Sequence, residues 1–158
     1  MIKARIKRLV NRLRGKVDIY GSHGRLEIPS IGISVPLYND GDKQKIVDEP
    51  DSAVWFKFGV QDCIADHNYQ GFSKINDVVP EETVAVILSP DKRVEYICFR
   101  SEVGHIISSG GMNKLRDAHW DYVNLQNPGG LCIYTCLEKS GNGIMDVRLT
   151  FWRIKDAS

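Results

Sequence analysis

Two residues near the C-terminal end, Cys136 and Arg148, have the side chains needed for a nucleophile and an anion-stabilising cation. Over residues 131–136 strand alternation puts Leu131, Ile133 and Thr135 on one face and Cys132, Tyr134 and Cys136 on the other. Over residues 147–151 the apolar Val147, Leu149 and Phe151 share a face, leaving Arg148 and Thr150 opposite. A turn centred on Asn142 sets Cys136 and Arg148 six residues to either side. They would then be cross-strand neighbours with Cβ atoms about 5 Å apart. A cation beside a thiol favours the thiolate, the nucleophilic form of a group whose ordinary pKa is about 8.5. Taken singly, the cysteine reads as a small buried apolar residue and the arginine as a solvated strand position. The pairing suggests chemistry, and it needs a third group to move a proton.

The histidines His23, His67, His105 and His119 are the candidates for that group, and composition alone does not choose among them. Cys63, Cys98 and Cys132 lie in β-rich runs and read as small apolar residues, with Cys132 the next candidate nucleophile after Cys136. Cys132 and Cys136 are about 13 Å apart along one strand and cannot pair within it. The chain has no C-x-x-C spacing for zinc, and Asp117 and Asp121 do not form a calcium loop. The expectation is an enzyme with no metal and no cofactor.

The elements that position these residues are mostly strands. Runs at 26–28, 34–37, 54–58, 63–65, 83–88, 94–99, 131–136 and 147–154 are β-rich. They are separated by turn signals such as Tyr38-Asn39-Asp40-Gly41 and Gly141-Asn142-Gly143. About eight short strands in 158 residues predict a mainly β chain, a closed barrel or sandwich. Residues 112–123, with Met112, Leu115, His119 and Tyr122 on one stripe, predict a helix in the connection before the Cys136 strand.

At 42% hydrophobic and 26% charged residues, the chain can bury a core and is not a disordered polymer. No apolar run approaches the roughly 18 residues of a membrane helix, and no secretory signal is present. Residues 1–16 carry seven Lys or Arg and no acid, which leaves 14 basic against 20 acidic residues in the remainder. A nucleic-acid-binding body is disfavoured by that balance. The basic end itself, with Ile2, Ile6, Leu9, Val10 and Leu13 on one stripe, predicts an N-terminal amphipathic helix over 1–16 ahead of a domain over 17–158. The helix has three readings: docking on its own domain, peripheral contact with a membrane surface, or an RNA-binding arm.

Three stretches together resemble the sortases, a family of cysteine transpeptidases. Ile133-Tyr134-Thr135-Cys136, with Arg148 twelve residues on, looks like the family's nucleophile strand and its arginine. Ile64-Ala65-Asp66-His67 followed by Gly71-Phe72 resembles the segment carrying its histidine, and Gly24-Arg25-Leu26-Glu27-Ile28-Pro29 with Val35-Pro36-Leu37 its opening strands. The matches run in the family's order across residues 21–154. The resemblance implies a sortase-like barrel in which Cys136 is the nucleophile, His67 its acid/base partner and Arg148 the substrate-orienting, oxyanion-stabilising cation. Thr135 would help hold the bound peptide.

The implied partners are a peptide or protein with a short sorting motif and an amine acceptor, joined through a thioester on Cys136. A peptidase hydrolysing the same intermediate and a catalytically weak peptide-binding barrel are the alternatives. A helix before the nucleophile strand looks most like class B. Asp66 stands where sortases usually have glycine; its carboxylate either faces the His67 ring or, by strand alternation, points away. The family usually carries a membrane anchor, so the chain reads as cytoplasmic or peripheral as written, and as cell-surface if an anchor lies upstream.

Overall fold

The computed structural model describes residues 24–38, 43–48, 52–68, 72–107, 115–123, 126–141 and 143–155; the expected helix over 1–16 and His23 lie outside them. The strands are β1 (Gly24–Ile28), β2 (Ile33–Tyr38), β3 (Ala53–Phe58), β4 (Gln61–Asp66), β5 (Val84–Leu88), β6 (Arg93–Ile107), β7 (Leu115–Arg116), β8 (Leu131–Gly141) and β9 (Ile144–Ile154). Each of the eight predicted runs falls on one of these strands, but β6 runs on to Ile107, β8 runs on to Gly141 and β9 begins earlier, at Ile144. One helix, α1 (Lys43–Asp48), follows β2, and 3-10 turns occupy Pro29–Ile31 and Phe72–Asp77. Among the described residues no helix is long and apolar enough to cross a membrane.

The sheet order is β5-β1-β2-β3-β4-β8-β9-β6-β7, and an added β5–β6 pairing closes eight strands into a barrel with β7 hanging on β6. Closure removes the open edges that an eight-stranded sheet would otherwise expose. Alternation along each strand then sorts side chains to two sides. Leu26, Ile28, Val35, Leu37, Ile64, Ile133 and Trp152 fill the interior. Phe72 and Ile75 of the second 3-10 turn join them. A second apolar layer lies on the outer face of β3, β4, β8 and β9, where Val54, Phe56, Cys63, Ala65, Cys132, Tyr134, Val147, Leu149 and Phe151 are buried. Ile46 and Val47 of α1 cover one part of it, and Leu115 and Val123 another. Strands buried on both faces read as near-continuous apolar runs, which is why 131–136 and 63–65 alternate so weakly in sequence.

The predicted helix over 112–123 is not formed at its described residues: 115–116 are strand β7 and 117–123 are turns. A buried carboxylate decides this. Asp117 Oδ1 accepts the backbone N–H groups of His119 (2.8 Å) and Asp121 (2.9 Å), offering the chain a turn in place of helical bonds. Trp120 takes a left-handed φ of 64° and stacks on His105 with ring centroids 4.1 Å apart. Arg100 donates to Glu102, to Asp117 Oδ2 (3.0 Å) and to Gln126 Oε1 (3.1 Å), so β6 anchors the segment from below. Burial alone would raise the Asp117 carboxyl, but hydrogen bonds from Gln126, the Asp121 and His119 backbone and Arg100 bring it below its ordinary value. Stripe periodicity cannot see these partners.

Gly104, paired with Val147 in the β6–β9 ladder, marks the close approach of this segment. A Cβ there would collide with the Leu149 side chain and the Arg116 carbonyl oxygen. The variant Gly104→Ala is therefore expected to lose about 1–3 kcal/mol of stability by overpacking. Urea unfolding measures it, and an unchanged midpoint would show that β7 yields without cost.

Candidate active site

The site grows from one ladder. Strands β4 and β8 pair in parallel, with Asp62 opposite Leu131, Ile64 opposite Ile133 and Asp66 opposite Thr135. The ladder ends there, with His67 and Cys136 the next residue of each chain. Side-chain parity agrees. Ile64 and Ile133 point into the barrel, whereas Ala65 and Tyr134 point outward, so His67 and Cys136 follow on the outer side. Cys136 packs, partly buried, at the border of the outer apolar layer. The ladder's end is pinned by side chains: Thr135 Oγ1 donates to the Asp66 carbonyl at 2.8 Å, and Asn68 Nδ2 approaches the Leu137 carbonyl at 3.5 Å.

Asp66 resolves the sequence's ambiguity by geometry. Its side chain is buried, and Oδ1 accepts the His67 backbone N–H at 2.7 Å, so it serves the main chain. The carboxylate at the ring belongs to Asp48, the last residue of α1, whose Oδ1 lies 2.8 Å from His67 Nε2. Nothing local in the sequence marks this contact, which joins residues 19 apart.

The expected Cys136–Arg148 cross-strand pair does not form. Arg148 stands opposite Thr135, and Cys136 faces Val147. The hairpin begins with Gly141 opposite Ile144, with Gly143 at φ +73°, and two register shifts between Cys136 and Gly141 then add residues to β8. A regular hairpin would have kept a constant offset; bulges change it and swap faces. Arg148 consequently sits on the Thr135 side of the sheet, where its Nε donates to Asn76 Oδ1 at 3.1 Å. Among the described residues its Nη groups have no hydrogen-bond partner. Asn76, in the 3-10 turn that plugs the interior, is another residue that sequence reasoning missed.

Without a cation paired to it, the Cys136 thiol is governed by burial, which pushes it above its ordinary value. It is still the one cysteine of the four with solvent access, since Cys63, Cys98 and Cys132 are buried. Burial likewise pushes the Cys98 thiol up to about 11, and raises that of Cys132. The remaining described histidines have other company: His105 contacts Trp120 and Asp146, and His119 lies by the Arg100–Asp117 network. Among the described residues no group of three His, Cys, Asp or Glu could hold a metal ion.

A raised thiol loses its proton only in alkaline solution, so iodoacetamide should label Cys136 slowly at neutral pH and faster as pH rises. The midpoint is expected above about 8.5, the reference thiol value. Mass-mapped alkylation rates give the profile; a midpoint below that value would mean that a cation reaches the sulfur after all.

No family model matches the chain, and no curated protein matches it. Solved structures do. Sortase C from Clostridium perfringens is 16% identical with a TM-score of 0.59, over 98% of this chain and 87% of that one. Sortase C1 from Streptococcus agalactiae is 14% identical with a TM-score of 0.59, over 89% and 71%. Sortase E1 from Streptomyces coelicolor, solved with a tripeptide in its active site, is 16% identical with a TM-score of 0.61, over 85% and 88%. These neighbours are named as classes C and E, while the class B likeness rested on the helix that turns replace. With its closed eight-stranded barrel and this coverage, the chain has the sortase fold.

Proposed function

We propose that the protein is a sortase-like cysteine transpeptidase, with Cys136 as nucleophile and His67 as the acid/base group. What supports this reading is the parallel β4–β8 register, which ends with Asp66 opposite Thr135, one residue before His67 and the accessible Cys136. The order of events follows from their chemistry. Cys136 Sγ bonds to a peptide carbonyl carbon as its proton passes to His67. Collapse of the tetrahedral intermediate breaks the C–N bond, and His67 returns the proton to the leaving amine, leaving a thioester. An acceptor amine then attacks the thioester, gives a proton to His67, and the thiol departs carrying it.

Arg148, on the Thr135 side of the sheet, would serve the substrate or the oxyanion by reaching past the end of the ladder with its Nη donors. Thr135, wholly buried, would serve the site from beneath by tying β8 to the end of β4. The substrate in this reading is a peptide or protein bearing a short sorting motif, bound at the border of the outer layer where Cys136 is partly exposed. Residues 17–158 would be the catalytic domain. The basic residues 1–16 would place it, either by docking on its acidic body or against an anionic surface.

Three variants test the assignment in an intact-mass screen of short peptides. Cys136→Ala should form no thioester while melting normally, since a small residue replaces a small thiol. His67→Ala should be nearly as damaging, because nucleophile and base act as a unit. Arg148→Lys keeps the charge but loses the guanidinium fork, and should cost about 2.7–4 kcal/mol of transition-state stabilisation if one oxyanion donor is lost. Peptide cleavage undiminished in Cys136→Ala would sink the proposal. Products formed with and without an added primary amine separate transfer from hydrolysis, and binding with no adduct on the wild-type protein would leave a peptide-binding barrel.

A further inference from the structure

The contact between His67 and Asp48 joins a ring beside the accessible cysteine's strand to a helix 19 residues earlier in the chain. Helix α1 is held to the outer face by Ile46 and Val47, which are buried against the layer containing Val54 and Phe56. Asp48, at the end of that helix, has a side chain 55% exposed. An acid at the C-terminal end of a helix also works against the local dipole, so it does not stabilise α1. The nearest acid in sequence, Asp66, is committed to the His67 backbone on its other side. What Asp48 does make is a 2.8 Å bond to His67 Nε2, from the same outer side on which Cys136 emerges.

We propose that Asp48 is the positioning residue of His67, a proposal resting on the reading of His67 and Cys136 as acid/base and nucleophile. An ionised carboxylate only accepts hydrogen bonds, so the nitrogen facing it carries the proton. Neutral His67 is therefore held as the Nε2–H tautomer, and the proton exchanged with Cys136 and the leaving amine passes through Nδ1. The bond also fixes the ring's rotation, which the backbone of β4 alone does not. Because Asp48 is half-exposed, its contribution is chiefly orientation; solvent screens much of its charge. The helix after β2, far from the nucleophile in sequence, thereby becomes part of the catalytic apparatus.

The test uses the full chain with 15N-labelled histidine, the His67 ring being assigned by its loss in His67→Gln. In alkaline solution, where imidazole is neutral, the wild-type Nδ1 and Nε2 resonances should sit at the limits of a single tautomer. In Asp48→Ala they should move toward each other as the ring samples both. Asp48→Glu should restore the wild-type pattern in part, and unchanged melting of all three proteins excludes a folding defect. With a peptide found in the mass screen, Asp48→Ala should lower kcat about 10–100-fold, the range for removing an outer partner of a functional histidine. KM should be unchanged.

Ring resonances that do not move in Asp48→Ala would overturn the proposal whatever the kinetics. An effect confined to a raised KM, with kcat unchanged, would do so too, since it would make Asp48 a substrate contact. If the wild-type protein formed no acyl-enzyme at all, the transpeptidase reading would fail while the resonances still decided whether Asp48 sets the ring.

Discussion

The parallel pairing of β4 with β8 is the constraint on which the site depends. It joins residues 62–66 to residues 131–135, with the intervening strands β5 to β7 and their connections between them. Parallel neighbours cannot be joined by a tight turn, so such a ladder exists only where the rest of the chain makes the crossover worthwhile. Here burial on both faces does so, with Ile64 and Ile133 inside the barrel and Cys63, Ala65, Cys132 and Tyr134 in the outer layer. The ladder ends where the apolar runs end. The next residues of the two chains are His67 and Cys136, and Cys136 is the accessible cysteine. The buried Thr135–Asp66 bond ties the last rung on the inner side, where an unmatched hydroxyl would be costly.

The outer apolar layer shapes the chemistry as much as it does the fold. A sheet face left bare on this scale would be a sticky surface, and two unlike elements cover parts of it. Helix α1 covers it with Ile46 and Val47 and brings Asp48 to His67. The 115–123 segment covers it with Leu115 and Val123, held by the Arg100, Glu102, Asp117 and Gln126 network. Arg100 also lies 4.4 Å from the centroid of the Phe151 ring, so the network's cation rests on the layer it fastens. Cys136 sits at the layer's border, and that explains both its accessibility and its raised thiol. That burial works against a resting thiolate.

Strand alternation is a local property, and it made much of this legible in the sequence. Eight strands, the two faces of 131–136 and the apolar face of 147–151 follow from residue order alone, because a pleated strand turns over at every residue. The pointing-away of Asp66 from His67 is the same rule. The motif around Thr135 and Cys136 and the segment ending at His67 were recognisable by their resemblance to the sortases, and the ladder brings those two segments together. The stripe over 112–123 misled because a helix period says nothing of a buried carboxylate such as Asp117 that rewards a turn instead.

The tertiary structure alone decided register and partners. Counting outward from a turn assumes a constant offset, whereas the shifts between Cys136 and Gly141 moved Arg148 from Cys136 to Thr135 and to the other side of the sheet. Whether a strand absorbs an extra residue depends on what it must pack against, which no hairpin sequence states. Asp48 and Asn76 reach His67 and Arg148 across 19 and 72 residues, through elements whose places are set by burial of Ile46, Val47, Phe72 and Ile75. The sequence by itself determined which side chains could do chemistry and which way each strand face turns. Which of them meet was left to the packing, because only closure of the barrel fixes distances between segments far apart in the chain.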